Sequence, residues 1–180
     1  GGVGAGGGAG AGRGDAGLAI GQGIGAALAQ QLDFKTISGV VGERIRTMFN
    51  SQDMYVALYD EQLNVIRFPY DIAAGDRQTT EAYELGPGLT SKVIQARESL
   101  RLGTYEETVA AEAIVDAVPA ESWLGVPLLA GERVLGGIAL QSTRPHAFTD
   151  GDERGLGTLA PSMGVALDEA APFARTKARV

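Results

Sequence analysis

The stretch from Ser122 to Ala170 constrains the fold more than any other, because it reads as a β-hairpin followed directly by a capped helix. Trp123 to Leu129 is a continuous apolar run that ends in Ala130-Gly131-Glu132, a short Gly-containing link of the kind that closes a hairpin, and Val134 to Leu140 returns as a second apolar run. Neither run alternates cleanly with polar residues, so both strands are expected to be central, with helices covering both faces of the sheet. Pro127 has no amide hydrogen to give to a ladder and predicts a bulge or a locally unpaired position, while Gly136-Gly137 predicts close approach of a helix or a ligand. Thr149 or Asp150 can then cap a helix, with Asp152 or Glu153 completing a capping box at the positive end of the helix dipole. Leu156, Leu159, Met163, Ala166, Ala170 and Phe173 recur at helical spacing and form a seam. Pro161 and the glycines 155, 157 and 164 weaken that seam, predicting a kink near Gly157 to Pro161 and an end at Pro172.

Upstream, Asp33 to Phe49 carries Phe34, Ile37, Val41, Ile45 and Met48 on one face, with Lys35, Glu43, Arg44 and Arg46 elsewhere, which predicts an amphipathic helix. Tyr55 to Tyr59 and Val65 to Phe68 are strands around Asp60-Glu61-Gln62-Leu63-Asn64. Asp71 to Glu84 reads as polar loop. Gly86-Pro87-Gly88-Leu89-Thr90 gives a turn and a cap before a helix over Ser91 to Arg97, and Leu100-Arg101-Leu102 a short strand, the two flanking an expected cavity. Glu106 to Val118 mixes Ala with acids and is expected to cover one face.

A chain of 180 residues that is 44% hydrophobic can bury one real core. We therefore divide it into a Gly/Ala-rich leader over 1–16, one domain over 17–171 with its N- and C-terminal helices, and a tail or linker over 172–180. A start at Gly1 rather than Met is expected of a piece of a longer protein. A formal charge of -7 with no local Lys/Arg cluster argues against nucleic acid or an anionic membrane as partner. Without cysteine there is no disulfide, thiolate metal site or cysteine nucleophile in the chain, and a reducing, cytoplasmic setting is the expectation.

Some local patterns suggest other functions. Arg13-Gly14-Asp15 spells an adhesion tripeptide by chance in a Gly-rich tail. Leu18 to Leu32 has no charge and ends near a signal-peptidase-like Ala27-Leu28-Ala29, but its centre is too Gly-rich for a secretory signal. Gly21 to Ala29 looks like the phosphate-binding turn of short-chain dehydrogenases. No convincing strand precedes that turn, no strand with a terminal acid follows it, and a Tyr-x-x-x-Lys pair is missing. An Ala/Gly-rich helix leading into the domain accounts for the segment. His146, between Pro145 and Ala147, is the single histidine and has no catalytic partners in sequence, so it reads as a surface residue.

Four segments in order, Val41 to Arg46, Leu85 to Ile94, Ser122 to Leu128 and His146 to Glu153, resemble GAF domains over Phe34 to about Ala170, particularly those upstream of histidine kinase or nucleotide-cyclase modules in bacterial signalling proteins. The resemblance implies an α+β fold, an antiparallel five- or six-stranded sheet with helices on both faces and a ligand pocket on one. It implies a non-enzymatic regulatory domain with no cofactor, in which an unidentified small-molecule effector moves the terminal helices and biases an output domain of the parent protein. Bilin-binding members and free-methionine-sulfoxide reductases use cysteine, which this chain lacks. Cyclic-nucleotide-binding members carry an Asn-Lys pair before Phe and Asp-Glu; here Phe148 and Asp152-Glu153 match, but Gln141-Ser142 stands in place of Asn-Lys. Arg101, Tyr105 and Glu106 fall where such pockets are usually walled, and Arg with Tyr could clamp a carboxylate or phosphate. The competing account is a solvated strand end with a half-buried Tyr. Ser122 and Trp123 complete the candidate set, with Trp123 either ligand platform or core. A parallel homodimer through the terminal helices is expected, and the rival to the sensor is a pocketless dimerisation scaffold.

Overall fold

In a computed structural model, residues 35–111 and 120–170 are described. The leader, the Gly21 turn, Phe34, the acid- and Ala-rich stretch beyond Ala111, Pro172, Phe173 and the tail lie outside these residues. Helix α1 covers residues 35–49. After it come β1 (Met54–Asp60), β2 (Val65–Ala73), β3 (Asp76–Arg77), β4 (Tyr83–Glu84), α2 (Leu89–Ala96), β5 (Leu100–Leu102), α3 (Tyr105–Ala110), β6 (Ser122–Ala130), β7 (Arg133–Ser142) and α4 (Asp150–Ala170). All pairings are antiparallel, and the sheet runs β3-β2-β1-β7-β6-β5 with β4 also on β2. The fold class is the one expected, with seven strands because two two-residue strands occupy the outer edge of β2.

The long hairpin is central, as its unbroken hydrophobicity predicts: β7 lies between β1 and β6. Pro127 sits opposite Gly137, one step before the irregularity at Leu128/Leu129, and β5 reaches only as far as Gly125, so no ladder partner is lost on that side. The close approach at Gly136 is made by the neighbouring strand: φ is +154°, and a Cβ there would strike the backbone of Ala57 in β1. A Cβ at Gly137 would lie 3.7 Å from Cγ1 of Val93 in α2.

One face of the sheet carries α1 and α4. Val41 and Ile45 of α1 and Leu156, Ala160 and Leu167 of α4 join Met54, Val56, Leu58, Leu124, Val126 and Ile138 in one core. Thr149 and Asp152 form the predicted capping box, Asp152 N donating to Thr149 Oγ1 at 3.1 Å and Thr149 N to Asp152 Oδ2 at 2.9 Å. Helix α4 continues past Pro161, whose position is exposed, and its buried line is Leu156, Ala160, Gly164 and Leu167, while Leu159 and Met163 flank it. The seam is thus rotated from the one read in sequence, because Gly164 brings the helix backbone against the Leu129 carbonyl. On α1 the inward residues are Ser38, Val41, Gly42 and Ile45, and Met48 is 59% exposed. Gly42 makes room for the ring of Tyr70.

The polar stretch expected as loop, Asp71 to Glu84, is partly strand, through the end of β2 and through β3 and β4. Tyr70 and Ile72 are buried in the core, and β2 continues through a bulge in which Phe68 and Pro69 oppose Ala57. Helix α1 begins and α4 ends at the same end of the sheet: Lys35 lines the same cavity as Leu58 and Asp60, and Asp168 pairs with Arg133 at the start of β7.

Candidate functional site

The period-two alternation of β1 separates the two faces. Met54, Val56 and Leu58 enter the α1/α4 core, whereas Tyr55, Ala57 and Tyr59 face α2 with Ile66, Phe68, Tyr83 and Ile94. On the α2 face Tyr55 meets Phe68 edge to face at 5.4 Å between centroids, and Phe68 meets Tyr83 at 5.4 Å. The Tyr55 hydroxyl shares a 2.5 Å hydrogen bond with Thr90 Oγ1, from the first turn of α2. Burial holds the Tyr55 phenol well above its ordinary pKa, so it remains a neutral hydrogen-bonding group. Thr90 and Ser91 are buried, and Ser91 Oγ accepts from Gly86 N at 3.1 Å, which secures the Gly-Pro-Gly turn where a side-chain N-cap is lacking. These hydroxyls, bonded to one another or to the backbone, and the half-buried aromatics set polar groups into an otherwise apolar face. Sequence reading missed them as a group, although alternation in β1 already placed Tyr55 and Tyr59 together.

The residues singled out from sequence are divided by β5. Leu102 pairs with Trp123 and Arg101 with Leu124, and residues opposite each other share a face. Trp123 therefore lies with α2, 3% exposed, where it packs with Leu89, Val93, Leu102 and Ala139. These side chains enclose Trp123, while a cavity of about 450 Å³ lies where α2 meets the start of β5, with Lys92, Val93, Gln95, Glu98 and Leu100 in its lining. Arg101 emerges on the other side and grips the start of α4. Its Nε donates to Glu153 Oε1 at 3.1 Å, its Nη1 to Phe148 O at 3.2 Å, and its Nη2 pairs with Asp150. Ser99 Oγ adds a 2.5 Å bond to Glu153 Oε2. The Ser99 hydroxyl first, then Arg101, hold Glu153 below the usual carboxylate range against the opposing effect of burial.

Tyr105 and Glu106 open α3 at the surface. Tyr105 is 37% exposed, and its backbone N–H donates to Glu121 Oε2 at 3.0 Å. Ser122 is buried, donating to Arg144 O at 2.5 Å and accepting from Ala147 N at 3.0 Å, so it ties down the loop after β7. Arg101 is thus committed to α4 rather than to a clamp with Tyr105. His146 donates its backbone N–H to Gly103 O at 2.7 Å, and its ring covers Gly103 so closely that a Cβ there would lie 2.5 Å from Nδ1. Among the described residues no cluster of His, Asp and Glu could hold a metal ion, and no helix is long and apolar enough to cross a membrane.

One antiparallel sheet between a helix pair and a shorter helical layer, with hydroxyls and aromatics gathered on the second face, defines a class of small α+β domains. The chain belongs to the GAF domain family, whose model matches residues 31–168. Such domains are typically regulatory or sensory parts of signalling proteins and are generally non-catalytic. The type II free methionine-R-sulfoxide reductase of Thermoplasma acidophilum is similar in fold, with a TM-score of 0.64 at 15% identity over 76% of this chain and 96% of that one. The GAF domain of an Acinetobacter phosphoenolpyruvate-protein phosphotransferase superposes with a TM-score of 0.63 at 18% identity, covering 78% and 93%. The GAF-B domain of DevS from Mycobacterium smegmatis gives 0.61 at 18% identity, covering 80% and 99%. No curated protein matches the sequence.

Proposed function

We propose that the chain is a non-catalytic small-molecule-sensing domain of a signal-transduction protein, in which a ligand on the α2 face biases the placement of α1 and α4. The observation that carries this reading is the hydrogen-bonded Tyr55–Thr90 pair beside the Tyr55–Phe68–Tyr83 row, polar groups set into an otherwise apolar face. The likeness to the reductase extends to the fold alone at 15% identity, and the chain has no cysteine for the chemistry that the resemblance attributes to such reductases. Both terminal helices pack on the opposite face of the same sheet, so a shift of β1 or β5 reaches them directly. A homodimer formed by these helices would use their outward residues, Val40 and Met48 on α1 and Val165 on α4, because Leu156 and Leu167 are consumed by the domain's own core.

A second reading, a scaffold without a pocket, is favoured by the close packing of Trp123 with Leu89, Val93 and Leu102. A thermal-shift screen of a metabolite library separates the two. A sensor gains about 2.7 kcal/mol from a ligand at a hundredfold excess over its Kd. The shift should shrink in Thr90→Val, and Trp123, the single tryptophan, should change its emission when the ligand binds. Cyclic nucleotides should produce little shift, with Gln141-Ser142 in place of Asn-Lys. A library that shifts nothing favours the scaffold.

A further inference from the structure

We propose a second binding site, at the outer edge of the sheet, for a small monocarboxylate with an apolar body. β4 pairs with Val65 and Ile66 and β3 with Ile72 and Ala73, which leaves the stretch of β2 between them without a neighbouring strand on that edge. The bulge at Phe68 and Pro69 falls in this gap, and a cavity of about 370 Å³ opens there. That volume lies at the small end of the range for ligand pockets. Its apolar lining comes from Leu58, Pro69, Ala82 and Phe68, the last of which also stands in the Tyr55–Phe68–Tyr83 row of the sensing face.

Two cations and one acid supply the charge, Lys35, Arg67 and Asp60. Asp60 is 7% exposed and already accepts from the backbone of Gln62 at 3.1 Å and Leu63 at 3.2 Å, while Arg67 stands 3.7 Å from it, beyond close hydrogen-bond contact. The Arg67 guanidinium therefore retains donors for a second carboxylate, and Lys35 makes no ion pair among the described residues. The local balance of one excess positive charge suits one carboxylate, and the apolar lining suits a ring or short chain behind it. Because Lys35 belongs to the first turn of α1, occupancy ties the start of that helix to the sheet edge, on the side away from Trp123.

The test is a titration of the full chain with benzoate, with benzyl alcohol and benzylamine as uncharged and cationic controls, followed by backbone amide NMR and by Trp123 emission. The expected result is saturable benzoate shifts centred on Lys35, Arg67, Thr80 and Ala82, with Trp123 emission unchanged. Lys35→Gln and Arg67→Gln, both at exposed positions, should each weaken benzoate about tenfold, the loss of one charge-assisted contact. Equal shifts from benzyl alcohol, absence of saturation, or unchanged affinity in both variants would overturn the site. Shifts confined to α2 with altered Trp123 emission would overturn it while supporting the sensor face, so the two readings fail separately.

Discussion

At the scale of single residues, Arg101 shows how a side chain chosen for chemistry can have a mechanical role. Alternation along β5 sends it to the start of α4, and the same alternation sends Leu102 and Trp123 to the other face. Glu153 is the acid whose titration reports this tie. Its folded-state pKa is depressed by Ser99 and Arg101, so it contributes stability above the ordinary Glu pKa of about 4.3 and loses it as the pH falls through the lower, folded-state value. Glu153→Gln should therefore lower the melting temperature at neutral pH, and the gap to the parent protein should close as the pH falls below about 4. A gap independent of pH would show that the carboxylate charge is not what holds α4. Arg101→Ala should reproduce the neutral-pH loss, measured by the same melting curves.

Among the elements, α4 makes the clearest case, because its glycines are not equivalent. A Cβ at Gly155 meets nothing within 4 Å, whereas one at Gly164 would collide with the Leu129 carbonyl of β6. Gly155→Ala should stabilise the domain by about 0.8 kcal/mol through helix propensity, and Gly164→Ala should destabilise it by about 1–3 kcal/mol through overpacking, both read from urea denaturation. Equal effects of either sign would mean that α4 does not approach β6 as described. The same helix marks the limit of what sequence conveys. Its cap was legible, since Thr149 and Asp152 act within one turn, and so was the hairpin, whose apolar runs and Gly link are local signals. The phase of its buried line was not, because a close backbone approach at Gly164 depends on a strand far away in sequence. Strand β2 beyond Phe68 was hidden for a similar reason, as Pro69 and Asp71 look like loop until a bulge is seen to absorb them. The proposed sensing face was legible only as the spacing of Tyr55 and Tyr59, while Thr90 joins it through tertiary contact.

For the whole molecule, the arrangement is a sheet that separates a face with hydroxyls and aromatics from a face that carries both terminal helices. Arg101 and Arg133 fasten the two ends of α4 to different strands, the first to β5 and the second to the start of β7. Strain set up in the sheet by the proposed ligand would thus have two polar ties through which to act on that helix, in addition to the apolar packing on β6. A ligand does this only to the extent that it binds one arrangement better than the other. The most direct test is hydrogen exchange measured by mass spectrometry with and without the strongest thermal-shift ligand. The account predicts changed protection in α2 and β1 together with a change in α4 and in α1, on the opposite face. Protection that changes in α2 and β1 alone, with α1 and α4 exchanging at identical rates in both states, would contradict it.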